Sequence, residues 1–203
     1  MTVDEILSQY ESCREFYREG GITVTGGEPL MQIEFVTALF EAAKERDIHT
    51  CLDTSGITFS EAARPEFDRL IKSTDLVLLD IKHIDDKQHT ELTQHSNRSV
   101  LAFAEYLAEN RVPMWIRHVV VPDITTDEEP HYRLGRFIGG LRSVKALDVL
   151  PYHVMGVAKY EKLSLPYPLE GVQPATEEQA LAAKAAILRG IKERREEIKK
   201  DLR

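Results

Sequence analysis

A parallel α/β fold, open or barrel-like, is what this sequence predicts. Three features carry the prediction. Five short runs are apolar and rich in β-branched residues, as strands buried on both faces must be. An amphipathic stretch with helical spacing precedes each run. Each run also carries, or ends in, a polar group that a core would not select, and in parallel barrels the chemistry gathers at the carboxyl ends of the strands.

The elements follow in order. Residues 4–19 place Ile6, Leu7, Tyr10, Cys13, Phe16 and Tyr17 at three- and four-residue spacings, the stripe of an amphipathic helix. Gly20-Gly21 ends it, and Ile22–Thr25 is a short β-branched run. Residues 32–46 form a second helix with Ile33, Val36, Leu39, Phe40 and Ala43 on one side. His49–Asp53 reads as a strand closed by Thr54-Ser55-Gly56. A helix over 60–72 leads to the strand Leu76–Ile81, and a helix over 97–110 leads to Val112–Val121, where Pro113 suits a strand start. A helix over 127–142 leads to Ala146–Leu150. Pro166, Pro168 and Pro174 mark an irregular stretch, and Thr176 caps a last helix with Glu178 and Gln179 in its first turn. The tail, Lys192–Arg203, has six bases and four acids and reads as a solvated helix end. The domain organisation expected is one core over 1–190 with a charged helical extension over 191–203. A βα-repeat that is entered on a helix implies a first strand lost or never there. Ile22–Thr25 would then be an unprotected sheet edge, through which copies of the chain could pair.

Composition narrows the function. With 42% hydrophobic and 30% charged residues, the 203-residue chain fits an ordinary soluble globular class. A formal charge of −8 argues against nucleic acid or anionic lipid as a general partner. No apolar run approaches the roughly 20 residues that span a membrane. The acidic start, Met1-Thr2-Val3-Asp4-Glu5, lacks the basic and apolar regions of a signal peptide, so the expected location is the cytoplasm. Two cysteines, Cys13 and Cys51, exclude a disulfide scaffold and a self-contained four-cysteine metal site.

The polar groups at the strand ends are Gly26-Gly27-Glu28-Pro29, Asp53-Thr54, Asp80 with Lys82 on the same face, Arg117-His118 and Tyr152-His153. Each admits a structural reading: a tight turn with a first-turn acid, an N-cap, an ion pair, a guanidinium on rim carbonyls, a packed histidine. Five such coincidences at five successive strands are improbable together. A mixed set of Glu, Asp, Lys, Arg and His suits a zwitterionic small molecule, the carboxylates meeting its ammonium and the bases its carboxylate or hydroxyls.

These residues also carry a resemblance. Gly26-Gly27-Glu28-Pro29 after a short strand is similar to the GGEP motif of radical S-adenosylmethionine enzymes. HTCLDTSG (49–56), LVLLDIKHID (76–85), VPMWIRHVVVP (112–122) and LPYHVMGVAKY (150–160) resemble the pyruvate formate-lyase activases of that superfamily, over about residues 3–190. The resemblance implies a partial parallel (β/α) barrel and reductive cleavage of S-adenosylmethionine on a [4Fe-4S] cluster. It also implies hydrogen abstraction from a glycine of the partner, pyruvate formate-lyase, with flavodoxin or ferredoxin as electron donor. It places the methionyl ammonium at Gly26, Gly27 and Glu28, and a monovalent cation at Asp53, Thr54, Asp80 and the backbone of Leu78, hard oxygen donors as such an ion requires. Lys82, Arg117 and His153 would meet the carboxylate and ribose, with Asp80 also beside the cofactor. Tyr152 and the 153–159 loop would border the target's glycine-bearing loop.

One departure stands out. The family carries CxxxCxxC for its cluster, and these 203 residues contain no such motif. Cys13 and Cys51 read as core residues, so the expectation for this polypeptide is no cluster and no radical. Competing readings are a non-catalytic homologue that binds S-adenosylmethionine or the partner, and an activase of another glycyl radical enzyme. A βα-barrel aldolase or epimerase would require a glycine-rich phosphate loop after a late strand, and the stretch after Leu150 has none.

Overall fold

The computed structural model describes residues 1–17 and 19–202; Arg18, in the first expected helix, and Arg203, in the tail, lie outside the described residues. Five parallel strands form one sheet in the order β1-β2-β3-β4-β5, namely Gly21–Val24, His49–Thr54, Leu76–Asp80, Met114–Val120 and Val144–Pro151. Spatial order that follows chain order is the winding of a (β/α) barrel; a doubly wound sheet reverses direction at a switch point.

The helices are α1 (Val3–Ser12), α2 (Ile33–Lys44), α3 (Arg64–Leu70), α4 (Asp86–Thr93), α5 (Arg98–Glu109), α6 (Glu128–Gly140), α7 (Val157–Lys162) and α8 (Glu177–Asp201). Helix α1 opens on a Thr2–Glu5 capping box and stops at Cys13, and a 3₁₀ turn over Arg14–Tyr17 follows. The tighter 3₁₀ winding takes Phe16 off the expected stripe and leaves it exposed. The expected 60–72 helix is likewise three pieces: Pro65 suits the first turn of α3, and 3₁₀ turns flank it at Glu61–Ala63 and Ile71–Ser73. Helix α4 has no apolar stripe for sequence reading to find; Asp85 caps it, accepting from the backbone N–H groups of Lys87 and Gln88. Helix α8 runs unbroken past the expected 190/191 boundary.

The chain divides into two compact units. The first comprises Met1–Ile81, Asn97–Ile116 and Arg142–Ala146. Its core joins Leu52, Val77 and Leu79 of the strands to Phe40, Phe67, Phe103 and Leu107 of the helices, all buried. Phe59, Phe67, Phe103 and Tyr106 form an aromatic cluster with neighbouring centroids 5.0 to 5.4 Å apart in four of the pairs. Gly56 lies against that cluster at φ +69°; a Cβ there would sit 2.5 Å from Cδ1 of Phe103. The turn after β2 is therefore seated directly on the aromatic core.

The second unit comprises Lys82–Ser96, Arg117–Leu141 and Leu147–Arg203. Here α6 and α8 cross where side chains are absent: a Cβ on Gly135 would lie 2.0 Å from the carbonyl oxygen of Ile187, and one on Gly190 2.3 Å from that of Tyr132. Tyr132 donates to Glu193 at 2.6 Å, and Arg136 holds Glu197 with two bonds of 2.8 and 2.7 Å.

Candidate functional site

In the first unit, register decides which side chains share a sheet face. Thr23 pairs with Cys51 and Cys51 with Leu76, while Asp53 pairs with Leu78. Alternation then places Thr23, Cys51, Asp53, Leu76, Leu78 and Asp80 on one face. The other face carries Leu52, Val77 and Leu79, all buried in the core. Asp53 and Asp80 thus share one side of β2–β3, toward the carboxyl ends, while Thr50 and Thr54 are buried on the other. Thr25 donates to Oδ2 of Asp53 at 3.1 Å, and Leu78 stands opposite Asp53 in register, where its carbonyl can join an oxygen-donor set.

Glu28 is the centre of this end of the sheet. Its backbone is extended, and it caps a 3₁₀ turn, Pro29–Gln32, with the side chain folded back. Oε1 accepts from the Leu30 N–H at 3.0 Å and from the Thr54 hydroxyl at 2.5 Å. Oε2 accepts from the Ser55 N–H at 3.0 Å and from the Ser55 hydroxyl at 2.6 Å. Four donors meet one carboxylate, which ties the turn after β1 to the turn after β2.

The glycines before it are shaped differently from their neighbours. Gly26 has φ +96° and Gly27 φ +48°, left-handed conformations that side chains resist. A Cβ on either would meet no atom within 4 Å among the described residues. The turn therefore presents bare backbone to open space.

The expected cofactor residues divide between the units. Gly26, Gly27, Glu28, Asp53, Thr54, Leu78 and Asp80 belong to the first; Lys82, Arg117 and His153 belong to the second. Arg117 is half-buried on β4, and His153 is exposed just beyond β5. Tyr152 is buried, its hydroxyl 2.8 Å from that of Tyr167. After His153 the expected loop is mostly ordered as a 3₁₀ turn, Val154–Gly156, and the start of α7. Val154, Val157, Tyr160, Leu165 and Tyr167 line a cleft of about 410 Å³.

Two features escape sequence reading. Ser55 supplies half of the Glu28 donors, although sequence reading treats it only as part of a closing turn. The signal available is its place beside Asp53-Thr54 and before a glycine. The second feature is a pair of buried imidazoles in the second unit, His118 of β4 and His131 of α6, with Nε2 atoms 3.2 Å apart and rings nearly perpendicular. Burial, the nearby His83 and a partly opposing Asp127 leave His131 below its usual value; burial likewise lowers His83.

The cysteines do not fit an iron–sulfur cluster. Cys13 is half-buried at the end of α1, its sulfur 3.7 Å from the Ser12 hydroxyl, and Cys51 is buried within β2. No group of three or more His, Cys, Asp or Glu side chains suited to a metal occurs among the described residues. Nor is any helix among them long and apolar enough to cross a membrane.

Comparison with known proteins adds to this geometry. Residues 1–135 match the Radical SAM superfamily. The pyruvate formate-lyase-activating enzyme of Streptococcus mutans is 44% identical over 186 residues, covering 90% of this chain and 71% of that protein. Its counterpart in Staphylococcus epidermidis is 44% identical over 182 residues, covering 88% and 72%. Among solved structures, a domain of pyruvate-formate lyase-activating enzyme from Bacteroides vulgatus matches 84% of this chain and 94% of its own, with TM-score 0.68 at 24% identity. A radical SAM methyltransferase from Sphaerobacter thermophilus shares the fold at TM-score 0.63 and 16% identity.

Proposed function

The chain belongs to the radical SAM superfamily and, within it, to the pyruvate formate-lyase-activating enzymes, and from that membership we propose that it binds S-adenosylmethionine at its strand ends in the service of glycyl radical formation on pyruvate formate-lyase. On the activase reading, S-adenosylmethionine would be the source of the species that takes a hydrogen atom from the target glycine. The observation that carries the reading is the Gly26-Gly27 backbone, bare and left-handed, held in place by the Glu28 carboxylate.

Each group has a task that its chemistry suits. The Gly26-Gly27 backbone receives the methionyl ammonium, with the negative charge of Glu28 behind it. Asp53, the carbonyl of Leu78 and Asp80 offer hard oxygens to a monovalent cation; the Thr54 hydroxyl, which donates to Glu28 and accepts from the Gly56 N–H at 2.9 Å, keeps one lone pair for it. Lys82, Arg117 and His153 are assigned to a carboxylate and a ribose. Tyr152 and the 153–159 segment face the glycine-bearing loop of the partner, and flavodoxin or ferredoxin is the proposed electron donor.

Neither cysteine fits a [4Fe-4S] cluster. Anaerobic reconstitution is expected to load no cluster, and mixing with pyruvate formate-lyase and a reductant to give no glycyl radical signal by electron paramagnetic resonance. About four irons per chain would overturn that expectation.

Calorimetric titration of the purified polypeptide with S-adenosylmethionine tests the main reading. Binding is expected, and Gly27→Val is expected to weaken it at least about tenfold by filling that open space and straining a left-handed backbone. Absence of binding, or equal binding by G27V, overturns the site.

A further inference from the structure

Resting on that reading of the site, we propose that Ser55 is a positioning residue for S-adenosylmethionine: it fixes Glu28, and through Glu28 the Gly26-Gly27 turn that receives the methionyl end. Ser55 contacts the carboxylate twice, with its backbone N–H at 3.0 Å and its hydroxyl at 2.6 Å, both to Oε2. Thr54 and Leu30 hold the other oxygen. A carboxylate bonded on one oxygen alone still pivots about its last torsion; donors on both oxygens from different chain segments stop that rotation.

The hydroxyl protons are aimed by the local backbone. Thr54 Oγ1 accepts from the Gly56 N–H at 2.9 Å, and Ser55 Oγ accepts from the Ile57 N–H at 3.4 Å. With an N–H directed at each oxygen from two residues ahead, the proton of each hydroxyl is left for Glu28. The turn itself cannot drift, because Gly56 at φ +69° rests on Phe103 with no space for a side chain between them. A chain of contacts therefore runs from the aromatic core through Gly56, Ser55 and Glu28 to the bare glycines. Ser55 is its one exchangeable side-chain link, since Thr54 is also assigned to the cation.

The consequence is a coupling that a purely structural serine would not show. Ser55 affects the ligand only while Glu28 is present to transmit the effect. Titration calorimetry of the intact polypeptide with S-adenosylmethionine reads it. Ser55→Ala is expected to weaken affinity about tenfold, the scale of one hydrogen bond to a charged group. Ser55→Thr, which keeps the hydroxyl, is expected to stay within about twofold of the parent. In a Glu28→Gln background, where the amide nitrogen cannot accept from Ser55, the further change S55A is expected to cost nothing more. Should S55A fail to fold, the isosteric pair S55T and S55V carries the same test through the hydroxyl alone.

Equal affinity of the parent and S55A, loss of binding in S55T, or full additivity of S55A with E28Q overturns the role of Ser55 while leaving the site standing. No binding by the parent overturns the site and this role together.

Discussion

Two polar clusters lie near the strand ends, one in each unit, and they are built on opposite terms. In the first unit a carboxylate collects four donors, two from backbone N–H groups and two from hydroxyls. In the second, two imidazoles meet each other through their Nε2 atoms, so that one nitrogen must donate and the other accept. The carboxylate cluster is local: its members come from two turns of adjacent strands, and their positions follow from sheet register. The imidazole pair joins a strand to a helix, and burial works against charge on His131. The carboxylate cluster ties two turns together through four hydrogen bonds, whereas burial and the neighbouring His83 hold the His131 imidazole below its usual value.

Removing the carboxylate is the harshest way to break that comparison. Glu28→Leu leaves the N–H groups of Leu30 and Ser55 facing an apolar side chain, while the two hydroxyls can turn elsewhere. Two half-buried donors left unpaired cost about 3 kcal/mol. Urea unfolding at pH 7.5 is expected to show that loss with an unchanged m-value. A loss below about 1 kcal/mol would mean that water replaces the carboxylate and that the four bonds contribute little.

How far the two clusters are legible in the sequence differs. Strand positions are readable because apolar runs are short and bounded by glycine and proline; the expected 49–53 and 76–81 fall within one residue of β2 and β3. Glu28, Asp53 and Asp80 stand out because chemistry-bearing side chains at strand ends contradict a core pattern. Ser55 does not, since serine in a turn is unremarkable until its partner 27 positions away is known. His131 cannot be paired with His118 from sequence, because helix α6 must first be docked with the correct face inward. Helix α4 is missed because its residues lack an apolar stripe, and its Asp85 cap looks like any loop acid.

The imidazole pair gives the intermediate effect. His131→Phe keeps an aromatic ring, a larger one, and removes the Nε2 that faces His118, at a cost of about 1–2 kcal/mol at pH 7.5. Its clearer signature is the pH profile. The native imidazole of His131 binds its proton below the usual 6.5, and the unfolded chain binds it at 6.5. Below that pH the unfolded state carries more protons, so stability is full above 6.5 and declines as pH falls toward the native value. Each such imidazole contributes a slope of at most about 1.4 kcal/mol per pH unit. The acid limb of H131F is expected to be shallower than that of the parent. A limb of equal slope would assign the acid sensitivity to groups outside the pair.

The smallest effect separates burial from charge as the cause. Burial is the larger influence on His131, and His83 adds a like charge as it protonates. His83 itself accepts from the Asp85 N–H at 3.0 Å through Nδ1, a bond that an asparagine carbonyl can imitate. His83→Asn keeps that acceptor but puts a smaller side chain at a buried position, so a loss of about 1 kcal/mol at pH 7.5 is expected. Two contributions to the acid limb then disappear: the depressed titration of His83 itself and its charge on His131. Of the His131 shift, the part due to burial remains. Between pH 7.5 and 5.0 the acid limb of H83N should be shallower than that of the parent and steeper than that of H131F if burial of His131 dominates. A limb in H83N flatter than that of H131F would instead make His83 the principal acid-sensitive group of the second unit, and the imidazole pair a bystander to it.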